Sequence, residues 1–155
     1  MSKSAYIQYD LSKLMDNSIS LIIPNGVLNG DDITSFSITN NGVLKRIVIG
    51  DNCFGKVRVF ELDGLSELES VVIGTWSFSY AKTYSEIWNS KRSDGSYRIV
   101  NCPKLKSIQI GDRSFWDYHS FELNNLPSLQ SIDIGQECFF FAPYFSLTGL
   151  IDGLV

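Results

Sequence analysis

The chain has 155 residues, 44% hydrophobic and 19% charged, with a formal net charge of −4, which is enough for one domain with a continuous core. A mean hydropathy near zero with 13% aromatic residues excludes a disordered or fibrous chain, and no apolar run reaches the roughly 18 residues of a membrane helix. The acidic balance, with an isoelectric point near 4.9, excludes nucleic acid and anionic membrane as expected partners, because clustered Lys and Arg hold those surfaces.

At the start of the chain, Met1-Ser2-Lys3-Ser4-Ala5-Tyr6 offers no basic segment followed by an apolar one, so no secretory leader is expected. If Met1 is the native start, the expected compartment is the cytoplasm. Residues 1–19, with Tyr6, Ile7, Tyr9, Leu11 and Leu14, read as an N-terminal cap carrying a short helix near 10–15. The three cysteines, Cys53, Cys102 and Cys138, form no C-x-x-C pair and are odd in number. Reduced, structural thiols are therefore expected, with no metal site and no cofactor.

From about residue 20 the chain repeats itself. Ile-Gly pairs end four segments, at Gly50, Gly74, Gly111 and Gly135, spaced by 24, 37 and 24 residues, so one repeat of 24 carries an insertion of 13. LKRIVIGDNCF (44–54), LESVVIGTWSF (68–78), LKSIQIGDRSF (105–115) and LQSIDIGQECF (129–139) share the form L-x-x-[IV]-x-I-G-x-x-[CS]-F. A second phrase follows each, seen in VFELDGL (59–65), RIVNCP (98–103), FELNNLP (121–127) and FSLTGL (145–150), and FSITNNG (36–42) holds the same phase. Gly26, 24 residues before Gly50, extends the count to about five coils.

Alternation of apolar and polar residues at I-x-I and again at F-x-L predicts two short strands per coil, each with one buried face. Stacked coils then give two parallel sheets around a narrow core. The fold class is thus mainly β, a parallel solenoid over 20–155. Leu44, Ile47, Ile49, Phe54, Phe60, Leu62, Leu65 and their equivalents are expected inside. The recurrent glycine is expected at a bend of unusual backbone conformation, and Pro103 and Pro127 at turns between coils.

LKRIVIGDNCF resembles the L-x-x-L-x-L-x-x-N-x-L signature of leucine-rich repeats, with Asn52 in the asparagine position and Phe54 in that of the last leucine. Trp76, Arg113 and Glu137 replace the asparagine in later copies, and the phrase I-x-I-G-x-x-[CS]-F is closer to the BspA-like variety of bacterial and protist proteins. The resemblance covers about 20–152. It implies a curved solenoid whose I-x-I sheet lines a concave, protein-binding face.

On that sheet the outward residues form columns: Val48, Val72, Gln109 and Asp133, beside Arg46, Ser70, Ser107 and Ser131, and a third of Lys45, Glu69, Lys106 and Gln130. They vary while the buried positions repeat, as a recognition surface would and as a merely solvated face also would. Arg46, Val48, Val72, Gln109 and Asp133 are candidate contacts, with Trp76 and Arg113 at the rim. Aromatic and Arg side chains concentrate interface energy. The insertion falls within 81–97, where Trp88 is a further candidate contact. Ile87 and Trp88 either meet a partner or fold back as a staple. Phe140 and Phe141 either cover the core or form an exposed patch.

No capping pattern follows the last coil, so either the chain is a fragment of a longer array or two copies cover each other's ends, a homo-oligomer through Leu147, Leu150, Ile151, Leu154 and Val155. The inventory for chemistry is thin. The single histidine, His119, has no phased nucleophile, Asp51, Asp112 and Asp133 fall at solvated positions, and no phosphate-binding or zinc motif occurs. No catalytic residue is assigned and an enzyme is not expected. The expected function is a protein- or peptide-binding repeat module, with self-assembly as the alternative.

Overall fold

The computed structural model describes residues 19–89 and 94–150. Its strands are β1 (Ser20–Ile23), β2 (Ser35–Thr39), β3 (Arg46–Ile49), β4 (Val59–Asp63), β5 (Ser70–Ile73), β6 (Ser96–Val100), β7 (Ser107–Ile110), β8 (Ser120–Leu126), β9 (Ser131–Ile134) and β10 (Tyr144–Leu150). A short helix, α1 (Tyr84–Asn89), lies between β5 and β6. The odd strands form one parallel sheet and the even strands a second. Each coil gives one strand to each sheet, which makes a β-solenoid of about five coils of roughly 24 residues. Apart from Ile19, the expected N-terminal cap lies outside the described residues.

The inward residues follow the sequence pattern. Leu44, Ile47, Ile49, Phe54, Phe60, Leu62 and Leu65 are buried, as are Val71, Ile73, Ile108 and Ile110 in the coils that follow. Aromatic residues run through the core as two ladders. Phe54, Phe78, Phe115 and Phe139 stack at centroid spacings of 4.9, 4.7 and 5.3 Å. Facing them, Phe36, Phe60, Tyr97 and Phe121 stack at 5.2, 4.8 and 4.9 Å. Edge-to-face contacts join the ladders, for instance Phe60 with Phe78 and Tyr97 with Phe115. Each such pair contributes roughly 0.5–1.5 kcal/mol beyond its buried area. One large ring per half-coil therefore locks the register that backbone pairing alone leaves free.

The recurrent glycine has another cause than the one expected. Positive φ falls two and four residues later, at Asn52, Trp76, Arg113 and Glu137 and at Phe54, Phe78, Phe115 and Phe139, and not at the glycines. The left-handed turn aims the Asn52, Trp76 and Arg113 N–H groups forward to the carbonyls of Thr75, Asp112 and Gln136, while Phe54, Phe78 and Phe115 donate back to Val27, Cys53 and Ser77. Glycine is required because neighbouring coils approach too closely for a side chain. A Cβ on Gly111 would lie 2.6 Å from the Gly74 carbonyl carbon, and one on Gly74 would lie 2.7 Å from that of Gly50.

The first coil is offset by two residues from the 24-residue period. Ile23 pairs with Ile49, so Pro24 takes the glycine position and Gly26 that of Asn52. The Cys/Ser position is explained by the same turns. Cys53 Sγ donates to the Pro24 carbonyl at 3.0 Å, Ser77 Oγ to Gly50 at 2.7 Å, and Ser114 Oγ to Gly74 at 2.6 Å. A small donor thus satisfies a carbonyl of the preceding coil, and either residue suffices. Asp51 and Asp112 are not simply solvated, since their Oδ1 atoms accept from the N–H of Thr75 and Gln136 in the next coil, both at 2.8 Å.

Candidate functional site

The insertion is anchored at both ends by a buried ion pair. Arg58 Nη1 donates to Asp117 Oδ1 at 3.0 Å, and Nη2 reaches Asp94 Oδ1 at 3.2 Å where the chain returns. Asp117 also accepts from the backbone N–H of Ala81 at 3.3 Å where the insertion leaves the coil. Between these points Thr83 and Glu86 form a capping box. Thr83 Oγ1 accepts from the Glu86 N–H, and Glu86 Oε2 accepts from the Thr83 N–H, both at 3.1 Å. The T-x-x-E phrase was the legible signal for a helix here. Ile87 is buried against Ala81 and Trp116, with Trp76 packed alongside.

The rim candidates meet around this helix. Arg113 lies 5.3 Å over the Trp76 ring, and its Nε donates to Glu137 Oε2 at 2.6 Å. Tyr84 of α1 donates to Glu137 Oε1 at 2.6 Å, accepts from Arg113 Nη2 at 3.2 Å, and stands edge-on to Trp116 at 5.3 Å. The hydrogen bonds from Tyr84 and Arg113 hold the Glu137 carboxyl below its ordinary pKa, and that with Glu137 raises Arg113 above its own. Arg113 is thus occupied in tying α1 to the coils. Trp76 is half-buried, with Lys82 Nζ donating to its carbonyl at 3.2 Å.

Trp88 takes the other course. One residue after buried Ile87, it is 65% exposed and stands edge-on to Phe141 at 5.1 Å and Phe140 at 6.0 Å. Phe140 and Phe141 are themselves 40% and 44% exposed. The insertion is therefore both staple and surface: Ile87 closes a satellite core while Trp88 joins an exposed aromatic cluster.

The outward columns of the I-x-I sheet are in register as expected, Val48 with Val72, Val72 with Gln109 and Gln109 with Asp133. Ile22 extends this column and is exposed, a member hidden by the two-residue shift of the first coil. Val48 and Val72 are half-buried, whereas Arg46, Gln109 and Asp133 are exposed. These strand residues are separate from the Trp88 cluster, which is built by α1 and a turn.

At the far edge Phe145 and Leu147 pair in register with buried Phe121 and Leu123, yet they are 55% and 38% exposed. Leu150 is half-buried, and Ile151, Leu154 and Val155 lie outside the described residues. His119 contacts the Tyr144 ring at 5.2 Å. Among the described residues no three His, Cys, Asp or Glu side chains gather as a metal site, and no helix is long and apolar enough to cross a membrane. No family model, curated protein or solved structure matches the chain.

Proposed function

We propose that this protein is a repeat module that binds a protein or peptide partner, and that the Trp88–Phe140–Phe141 cluster is the centre of the contact. The exposure of Trp88 on a helix pinned by Ile87, Tyr84 and the Arg58–Asp117 pair carries this reading. Exposed aromatic side chains concentrate binding energy, and a support already ordered reduces the entropy lost on association. The occupant that suits such a cluster is an aliphatic or aromatic side chain of a peptide, seated edge-on between the rings. The Val48, Val72, Gln109 and Asp133 column, separate from that cluster, offers a second strip for an extended partner.

The leucine-rich-repeat likeness, and within it the BspA-like variety, supports the same reading through the I-x-I-G-x-x-[CS]-F phrase. The three free thiols suit a reducing compartment such as the cytosol. We assign no catalytic step to the chain. The exposure of Phe145 and Leu147 favours a second reading, self-association through β10. Affinity capture from the source organism with wild type, Trp88→Ala and Leu147→Glu, alongside light scattering, separates the two. Loss of specific partners with Trp88→Ala alone supports peptide binding. Partners retained by Trp88→Ala overturn it, and a dimer abolished by Leu147→Glu supports self-association.

A further inference from the structure

A second feature of the turn face lies apart from the aromatic cluster. A pocket of about 190 Å³ opens between the turns of the first three coils, bordered by Asn29, Asn52, Gly55, Lys56, Tyr80 and Lys82. Its floor is rigid, because the Asn29 amide spans two coils. Asn29 Oδ1 accepts from the Gly55 N–H at 2.7 Å, and Nδ2 donates to the Asn52 carbonyl at 2.8 Å. Gly55 packs tightly on that floor, since a Cβ there would lie 3.2 Å from Asn29 Oδ1.

Among the described residues, two ammonium groups border the pocket and no carboxylate does. Lys82 Nζ uses one donor on the Trp76 carbonyl, leaving two among the described residues. Lys56 Nζ stands 4.4 Å over the Tyr80 ring, and its acidic neighbour, Asp31 at 3.8 Å, is a side chain 96% exposed. Such a pair is weak and readily exchanged. Desolvation and the Lys56 charge both pull the Lys82 ammonium below the ordinary lysine range, against the attraction of Asp117 and Glu86. An anion seated between the two lysines relieves that repulsion and takes up donors the protein leaves to solvent.

We propose that this pocket is an oxyanion site, taking a carboxylate or phosphoryl group between Lys56 and Lys82, with Asn52 and Tyr80 as its walls. Water occupies about 30 Å³ per molecule, so the space admits such a group with part of its hydration. The site does not depend on the peptide-binding reading, and Trp88→Ala is expected to leave it intact.

The test is a titration of the full ¹⁵N-labelled chain with inorganic phosphate and, separately, with acetate, at neutral pH and constant ionic strength. Saturable shifts confined to the amides of Gly55, Lys56, Tyr80 and Lys82 are expected. Saturation by phosphate alone identifies a phosphoryl site, by acetate alone a carboxylate site, and by both an oxyanion site indifferent to source. Lys56→Gln and Lys82→Gln should each weaken binding about tenfold, and Lys45→Gln, just before β3 and outside the pocket lining, should not. Both lysines lie at the surface, so neither variant threatens the fold. Linear shifts with both anions, or saturation that survives both lysine substitutions, overturn the proposal.

Discussion

Tyr97 stands where the other coils carry phenylalanine, and its substitution by Phe is expected to stabilise the protein. The side chain is fully buried, with its ring parallel to Phe60 at 4.8 Å and to Phe121 at 4.9 Å. Among the described residues its hydroxyl has no hydrogen-bond partner, and burial pushes the phenol well above its ordinary pKa. A buried hydroxyl left unpaired costs about 1–3 kcal/mol. Removing one oxygen leaves a void of roughly 10–15 Å³, worth only about 0.3 kcal/mol against the gain at ~24 cal/mol per Å³. Tyr97→Phe should therefore gain about 1–2 kcal/mol, raising the melting temperature by roughly 2–8 °C at this chain length. Urea denaturation of the two proteins measures the difference at equal slope. A loss of more than about 1 kcal/mol would refute the argument, because it would mean that the hydroxyl is bonded in the folded protein.

Gly111→Ala should cost about 3 kcal/mol or more, since the added Cβ meets backbone at 2.6 Å and the coils must part; a neutral result in the same denaturation assay would show that the stack yields. Asp117→Ala leaves Arg58 without its buried partner and should cost about 3–5 kcal/mol. Hydrogen exchange should place the largest loss of protection in α1 and its flanks. Glu137 has a depressed folded pKa, so its tie to Tyr84 and Arg113 contributes stability above the ordinary carboxylate value of 4.5 and loses it as pH falls through the lower folded value. Protection of the α1 amides should fall in that acid window, and Glu137→Gln should remove the pH dependence; an unchanged profile would show that the carboxylate does not hold the helix.

The solenoid was legible because its constraints repeat. Phe60, Phe121 and the I-x-I pairs recur in phase with a period of 24 once the 13-residue insertion is set aside, and period-two alternation translates directly into inward and outward faces. What escaped were contacts between coils. The glycine reads as a conformational choice until the neighbouring coil is in place, and only then does the lack of room for a Cβ appear. Likewise, Pro24 at the glycine position becomes visible only once β1 pairs with β3, because the first period is two residues longer than the next. The Trp88 cluster was half legible. Its members were in view, but nothing in the sequence joins an insertion residue to a turn 52 positions further on.

The placement of that cluster follows from how a solenoid is stabilised. Each regular coil is held by neighbours on both sides, so a residue on a strand face is fixed by sheet geometry and has little freedom to project. An insertion escapes that constraint, yet a free loop would lose entropy on binding. Here the chain meets both demands. Arg58 and Asp117 clamp the insertion where it leaves and rejoins the coil, and the Thr83–Glu86 box and buried Ile87 order the helix between. Trp88 is then the residue the staple leaves outside. Weakening the clamp by Asp117→Ala should therefore reduce partner affinity without touching Trp88 itself, by returning the ordering cost to the binding step. Equal affinity in a folded Asp117→Ala protein would show that pre-organisation of the helix is not what the partner uses.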